Sequence, residues 1–233
     1  RLSSLDDLTG LNHVQCDVTD SLAVERAALE LQPTVVINCA AMSRVDECEK
    51  DRDQAYRINV LGARNIAHAA YKVAAKVVHF STDYVFDGTA DRPYTEWDTP
   101  HPVNWYGHTK LMSEETVQRA NPDSLVLRVA NVYGAHGPNT VTAVVRSAQA
   151  GMPLTLAGDQ IMSPTSASEL VQQTMLLIQR GAVGTYHAAG RGQTSRHEFA
   201  QSVATILGLD VQLVSVHAAD IPARVPRPLR TPL

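Results

Sequence analysis

Val35-Val-Ile-Asn-Cys-Ala-Ala41 is a short β-branched run that gives way to small residues. It shows no alternation of polar and apolar positions, as expected for a strand covered on both faces of a parallel sheet. Upstream, His13–Cys16 reads as a short strand ending at Asp17, and Asp20 can cap a helix running to about Leu31. Downstream, residues from about Asp53 to Tyr71 form a long helix, with Ile58, Leu61, Ile66 and Ala69 among its apolar positions. Lys76–Phe80 is the next strand, and a loop rich in Asp, Thr and Pro follows from Asp83 to Val103. A helix then runs to about Ala120, where Asn121-Pro122 ends it, and Leu125–Val129 is another strand. Strands alternating with helices imply an α/β fold, a doubly wound, Rossmann-like parallel sheet.

After Gly134 the pattern is less regular. Thr140–Ala150 reads as helix, Leu154–Ala157 as extended, Glu169–Gln179 as helix and Thr185–Ala188 as strand. Ser195 and Glu198 have capping-box spacing and open a helix to about Leu207. The proline-rich stretch Ile221–Leu233 reads as irregular.

The chain has 233 residues, enough for one large domain or one domain with a lobe. Hydrophobic residues at 44% and charged residues at 19% place it among ordinary globular proteins. A net charge of −4 with no basic stripe argues against nucleic acid as a partner. No apolar run approaches the roughly 20 residues needed to cross a bilayer, so no membrane partner is expected. Cys16, Cys39 and Cys48 match no zinc or redox spacing, which fits a reduced, cytoplasmic setting. The nine histidines are scattered and form no ligand pair, so no metal site is expected. A hydrolase is not supported, because no serine sits in a G-x-S-x-G elbow.

Tyr106 and Lys110 carry the chemistry. They lie four apart in Pro102-Val-Asn-Trp-Tyr-Gly-His-Thr-Lys110, on one face of a helix. An ammonium beside a phenol favours the phenolate, which would draw the tyrosine pKa towards neutrality, where general acids and bases work best. Thr82 adds a hydroxyl at the end of an apolar run. Hydroxyl, tyrosine and lysine together suit a site that handles the proton of a carbonyl or alcohol during hydride transfer.

The order of these blocks resembles the extended short-chain dehydrogenase/reductase superfamily. Within it the chain is similar to the dTDP-4-dehydrorhamnose reductase family. The supporting segments are Ser81-Thr-Asp-Tyr-Val-Phe-Asp-Gly88, Pro93-Tyr-Thr-Glu96, Leu127-Arg-Val-Ala-Asn-Val-Tyr-Gly134, Asp159-Gln160 with Pro164-Thr165, and Gly184-Thr-Tyr-His-Ala-Ala-Gly190 with Thr194-Ser-Arg-His-Glu-Phe-Ala200. The resemblance implies NADPH as cofactor, with NADH the alternative, a nucleotide-sugar substrate, and a homodimer as one assembly.

The resemblance also assigns residues. Tyr106 is the acid that protonates the C4 oxygen, Lys110 tunes it and holds the cofactor ribose, and Thr82 bonds the substrate oxygen. Asp83 and Asn131 join Thr82 at the substrate. Asp17, Val18, Ala40, Ala41, Met42, Ser43 and Phe80 join Tyr106 and Lys110 at the cofactor. Residues 1–134 would form the dinucleotide-binding domain. Residues 135–233 would form mainly a substrate lobe, some segments returning to the main sheet, with Arg146, Arg191 and Arg196 as candidates for a diphosphate.

The chain departs from the family in places. Asn131 stands where many rhamnose-type reductases carry Trp, and Met162 where Gly is commoner. No G-x-x-G-x-x-G occurs. In the family that turn precedes the segment matching Arg1–Asp17, so on the order of 30 residues of the first βαβ unit are expected to be missing, and relatives continue past Leu233. Two other functions share these motifs: an NAD-dependent nucleotide-sugar epimerase, and a non-catalytic subunit resembling the regulatory subunit of methionine adenosyltransferase. Asp83-Tyr84 after Thr82 argues against a dehydratase, where Asp-Glu is common.

Overall fold

The computed structural model describes residues 13–221 and 225–233. Its elements in chain order are α1 (Ser21–Leu31), β1 (Val35–Asn38), α2 (Val45–Lys50), α3 (Arg52–Tyr56), α4 (Ala63–Lys72), β2 (Lys76–Thr82), α5 (Trp105–Ala120), β3 (Ser124–Val129) and β4 (Val132–Tyr133). Then come α6 (Thr140–Ala150), β5 (Leu154–Ala157), β6 (Ile161–Met162), β7 (Thr165–Ser166), α7 (Ala167–Gln179), β8 (Gly184–His187), β9 (Thr194–Ser195), α8 (Arg196–Leu207) and β10 (Leu213–Val216).

The central sheet has the order β1-β2-β3-β8, and every pairing in it is parallel. Parallel neighbours need crossovers, and helices supply them on both faces. On one face Val77 packs with Val117 of α5 and Ala63, Ala67 and Ala70 of α4. On the other, Val78, Leu125 and Leu127 pack against Leu170 of α7. Leu125 and Leu127 are wholly buried, each stabilising the fold by about 1.5–3 kcal/mol through apolar burial. The expected doubly wound α/β sheet is therefore present. A smaller layer beside it pairs β5 with β10 in parallel and packs Val144 of α6 against Ala200, Val203 and Ala204 of α8.

Two expected elements differ. His13–Cys16 is not a strand, because no strand lies beside it among the described residues to complete a ladder. The long helix exists, but a π-helical turn at Arg57–Gly62 separates α3 from α4. That turn brings Asn59 inward, where its amide donates to the Met42 carbonyl at 3.1 Å and to Thr109 Oγ1 at 2.9 Å.

The irregular segment 225–233 runs as a strap. The Leu229 carbonyl accepts from Ile161 N at 2.7 Å, Thr231 N donates to the Ile161 carbonyl at 3.0 Å, and Tyr94 N donates to the Pro232 carbonyl at 2.8 Å. Leu233 packs on Val85, Phe86 and Tyr94. The Arg227 guanidinium grips the Asp46 carboxylate of α2 through two contacts, 2.9 and 2.6 Å.

Candidate active site

Helix α5 starts where its cap forces it to. Asn104 Oδ1 accepts from Gly107 N at 2.9 Å, and the Asn104 amide donates to the Pro226 carbonyl of the strap at 3.0 Å. Trp105 N donates to Glu49 Oε2 at 3.1 Å, so α2 also fixes this end. Gly107 permits the close approach of α5 to the loop after β2: a Cβ there would lie 2.2 Å from the Tyr84 carbonyl oxygen. The result sets Tyr106 against the C-terminal end of β2, the usual place for ligand chemistry in a parallel sheet.

The Thr82 hydroxyl lies beside the Tyr106 phenol and pulls its pKa down, against the stronger effect of burial. Thr82 donates to Asp83 Oδ1 at 3.0 Å and accepts from Tyr84 N at 3.2 Å. Thr231 donates to the other Asp83 oxygen at 2.6 Å. Asp83 is buried, and burial raises its carboxyl to about 6 against the pull of the Thr231 and Thr82 hydroxyls. The Tyr84 ring meets Tyr106 edge-on at 6.0 Å, and Arg196 donates to the Tyr84 hydroxyl at 3.3 Å.

One turn along α5, Lys110 is buried and its Nζ lies 3.4 Å from His79 Nε2. Burial lowers the Lys110 ammonium to about 8, with Glu114 opposing. His79 is itself fixed by Ser113 Oγ at 2.8 Å and the Asn38 amide at 3.1 Å, and burial holds it neutral. Beneath them Arg128 and Glu114 form a buried pair at 2.8 Å, which Ser81 joins by donating to Glu114.

The expected phenolate-favouring effect on Tyr106 is corrected by this geometry. Burial raises the Tyr106 pKa well above its ordinary value, and Asp83 adds to the rise, so these groups hold the phenol protonated. That state suits an acid.

The other predicted residues are spread over several elements. Ala40-Ala41-Met42-Ser43 forms the loop after β1. Ala41 and Ser43 are exposed, Ala40 N donates to Asn38 Oδ1 at 3.0 Å, and Met42 N donates to Asn59 Oδ1 at 2.7 Å. Asp17 accepts from Thr19 N and Oγ1, the Val18 carbonyl accepts from Asn65, and Val18 lines one cavity of about 310 Å³ together with Ala40. Phe80 packs in the cluster with Val78 and Leu127, on the α7 face of the sheet. Asn131 follows β3 with φ at 37°, and its buried Nδ2 has no protein partner. Of the three arginines, Arg196 reaches the site through Tyr84, Arg191 lines a cavity of about 680 Å³ beyond β8, and Arg146 bonds the Thr142 carbonyl on its own helix. Asn59, His79 and Thr231 were not expected from sequence. Nothing local marks them, since each acts through a partner at least 17 positions away.

The donor set fits the ribose and nicotinamide end of a dinucleotide. A buried amine, a phenol and a bare small-residue loop sit together at the strand ends. Among the described residues no group of His, Cys, Asp and Glu is placed to hold a metal ion, and no helix is long and apolar enough to cross a membrane.

Comparison with known proteins agrees with this geometry. Residues 1–233 match the family described as RmlD substrate binding domain. The chain belongs to this family. It is 39% identical over 226 residues to a dTDP-4-dehydrorhamnose reductase of Mycolicibacterium smegmatis, covering 95% of this chain and 67% of that protein. It is 37% identical over 195 residues to a dTDP-4-keto-6-deoxy-D-glucose reductase of Streptomyces niveus, covering 83% of this chain and 68% of the relative. The crystal structure of a dTDP-4-dehydrorhamnose reductase from Bacillus anthracis, in complex with NADP, superposes with a TM-score of 0.90 at 35% identity, covering 93% of this chain and 77% of that one.

Proposed function

We propose that this protein reduces the 4-keto group of a dTDP-4-keto-6-deoxy sugar with NADPH, in nucleotide-sugar biosynthesis. The observation that carries the reading is the placement of the Thr82 hydroxyl beside Tyr106, with the buried Lys110 one helical turn beyond. Its relatives of 37% and 39% identity, named as reductases of such sugars, support the substrate class.

Bound NADPH supplies the hydride. Thr82 and Tyr106 hold the substrate oxygen, and Tyr106 gives that oxygen its proton. The resulting phenolate faces the Lys110 ammonium, which is mostly charged at neutral pH. Ala40, Ala41, Met42 and Ser43 line the cofactor, with Asp17 and Val18 towards its adenine. Asp83 and Asn131 contact the sugar, and Arg196 is the best placed of the lobe arginines for a phosphate. The reaction takes place in the cytoplasm.

The test is consumption of NADPH by the complete protein with a dTDP-4-keto-6-deoxyhexose and with the free keto sugar. The nucleotide sugar should react and the free sugar should not, because remote binding energy positions the reacting carbon. Equal rates would remove the nucleotide-sugar assignment, and sugar-nucleotide binding without NADPH consumption would remove the reductase.

A further inference from the structure

The reducing site is wired to the strap. Thr231 donates to Asp83 Oδ2 at 2.6 Å, Thr82 donates to Asp83 Oδ1 at 3.0 Å, and the Thr82 hydroxyl lies beside Tyr106. Three of these four residues are nearly inaccessible: Thr231 is 2% exposed, Asp83 4% and Thr82 6%. The two carboxylate oxygens are therefore divided between two hydroxyls, one from the site and one from a residue 148 positions later in the chain.

We propose that Thr231 is a positioning residue for the reduction, holding the Asp83 carboxylate in the orientation that fixes the Thr82 side chain beside Tyr106. A carboxylate free to turn about its last bond would offer Thr82 either oxygen at a range of angles. Pinned by Thr231, it offers one oxygen from one direction. At rest Thr82 gives its single proton to Asp83 Oδ1 and accepts from Tyr84 N, which leaves its oxygen one lone pair on the Tyr106 side. A tyrosine fixed beside Thr82 at rest is aligned to donate to a carbonyl that arrives beside it.

The strap is itself anchored, so Thr231 is not free to drift. Its own N–H donates to the Ile161 carbonyl, the preceding Leu229 carbonyl accepts from Ile161 N, and the following Pro232 carbonyl accepts from Tyr94 N. Ile161 belongs to β6, which pairs with β9, and β9 leads directly into Arg196 at the start of α8. The same segment thus touches the layer that carries Arg196 and the carboxylate that carries Thr82. Errors in placing a reacting group by about 1 Å can lower a rate by about 10².

This proposal rests on the reductase reading. Its test is steady-state kinetics of the complete protein with NADPH and the keto sugar nucleotide for Thr231→Val, Thr231→Ser, Asp83→Asn and Asp83→Asn/Thr231→Val. Thr231→Val should lower kcat by about tenfold with KM for NADPH unchanged, since the interaction lost aligns the reacting groups and does not touch the cofactor. Thr231→Ser should restore kcat to within about twofold, because it keeps the hydroxyl. In the Asp83→Asn background the valine should have no further effect on kcat, the sign that Thr231 acts through Asp83. Normal kcat in Thr231→Val would overturn the proposal, as would a loss in Thr231→Ser as deep as in valine. If valine prevents folding, Thr231→Ala decides in its place: a kcat loss of about tenfold is expected there too, and full turnover in a folded Thr231→Ala protein would refute the role. A wild-type protein that binds NADPH and reduces no keto sugar nucleotide would overturn the reductase reading itself. Turnover by wild type with unchanged turnover in the Thr231 variants would overturn only the positioning role.

Discussion

Replacing Lys110 by methionine should make the protein more stable and nearly inactive. The amine is buried, and that burial moves its pKa from the ordinary 10.5 to about 8. At 1.36 kcal/mol per pH unit the difference corresponds to a penalty of about 3 kcal/mol for holding the charged form in the folded protein. Methionine has similar length and no charge to desolvate. It forfeits the contact with His79, worth about 1 kcal/mol, and His79 keeps Ser113 as a partner. The net expectation is a gain of about 2 kcal/mol at neutral pH. Turnover should fall by about 10² or more, because the charge that stabilises the Tyr106 phenolate is gone.

The sign of the pH dependence gives a second check. Below pH 8 both folded and unfolded chains hold the proton, and the folded state bears the whole penalty. Between pH 8 and 10.5 only the unfolded chain binds it, so wild-type stability receives a contribution that rises with pH across this window. Lys110→Met should lack that rise. Urea denaturation at neutral pH and again above pH 8 measures both effects. A variant less stable than wild type at neutral pH, or one with the wild-type pH slope, would refute the account.

Other perturbations test neighbouring parts. Tyr106→Phe keeps the ring and removes the proton, so NADPH binding should survive while turnover falls by about 10² or more; normal turnover would end the acid assignment. Arg128→Met strands the buried Glu114 carboxylate and should destabilise the fold by about 3–5 kcal/mol, most of it recovered in Arg128→Met/Glu114→Met, as read by denaturant midpoints. Asp83 titrates near 6, and only its charged form accepts from both Thr82 and Thr231; kcat should decline as pH falls through about 6, and Asp83→Asn should flatten that limb. Gly107→Ala drives a methyl onto the Tyr84 carbonyl 2.2 Å away, so a loss of about 1–3 kcal/mol is expected in a thermal melt, along with reduced kcat from displacement of Tyr106.

Much of the fold was legible because its rules are local. Asp20 caps α1 through Leu22 N and Ala23 N, Ser195 and Glu198 form the capping box of α8, and α6 spans the predicted Thr140–Ala150. Buried runs such as Val77–Phe80 and Leu125–Val129 mark parallel strands by composition alone. What failed depended on distant partners. His13–Cys16 has strand composition but no ladder. The two-residue strands β4, β6, β7 and β9 exist only through their pairings, and β10, unassigned from sequence, is fixed by β5. The strap shows no periodicity, yet it supplies Thr231 to the site. Thr82, Asp83, Tyr106 and Lys110 were named from sequence, and the structure places the first three at the end of β2 and Lys110 one turn along α5. The direction of the Tyr106 shift was not legible there, since desolvation depends on the packed structure and no spacing reveals it.

Helix α5 explains why the site could be found at all. A helix that packs on a sheet normally shows an apolar stripe at spacings of three and four. Here the stripe is Tyr106, Lys110, Ser113, Glu114 and Val117, and only the last is aliphatic. Each polar member has a specific partner on or beside β2. Tyr106 meets Thr82, Lys110 and Ser113 meet His79, and Glu114 meets Ser81 and, from β3, Arg128. Polar groups in such a place are stable only when fully paired, so an interface of this kind is disfavoured unless the polar face is required. The stripe becomes apolar at Val117, and at its other end Tyr106 lies by the C-terminal end of β2, where the candidate site is built. A helix whose buried face is polar at the C-terminal edge of a parallel sheet is therefore a functional signal in its own right, one that the hydrophobic pattern misses and the placement of Tyr106 and Lys110 makes visible.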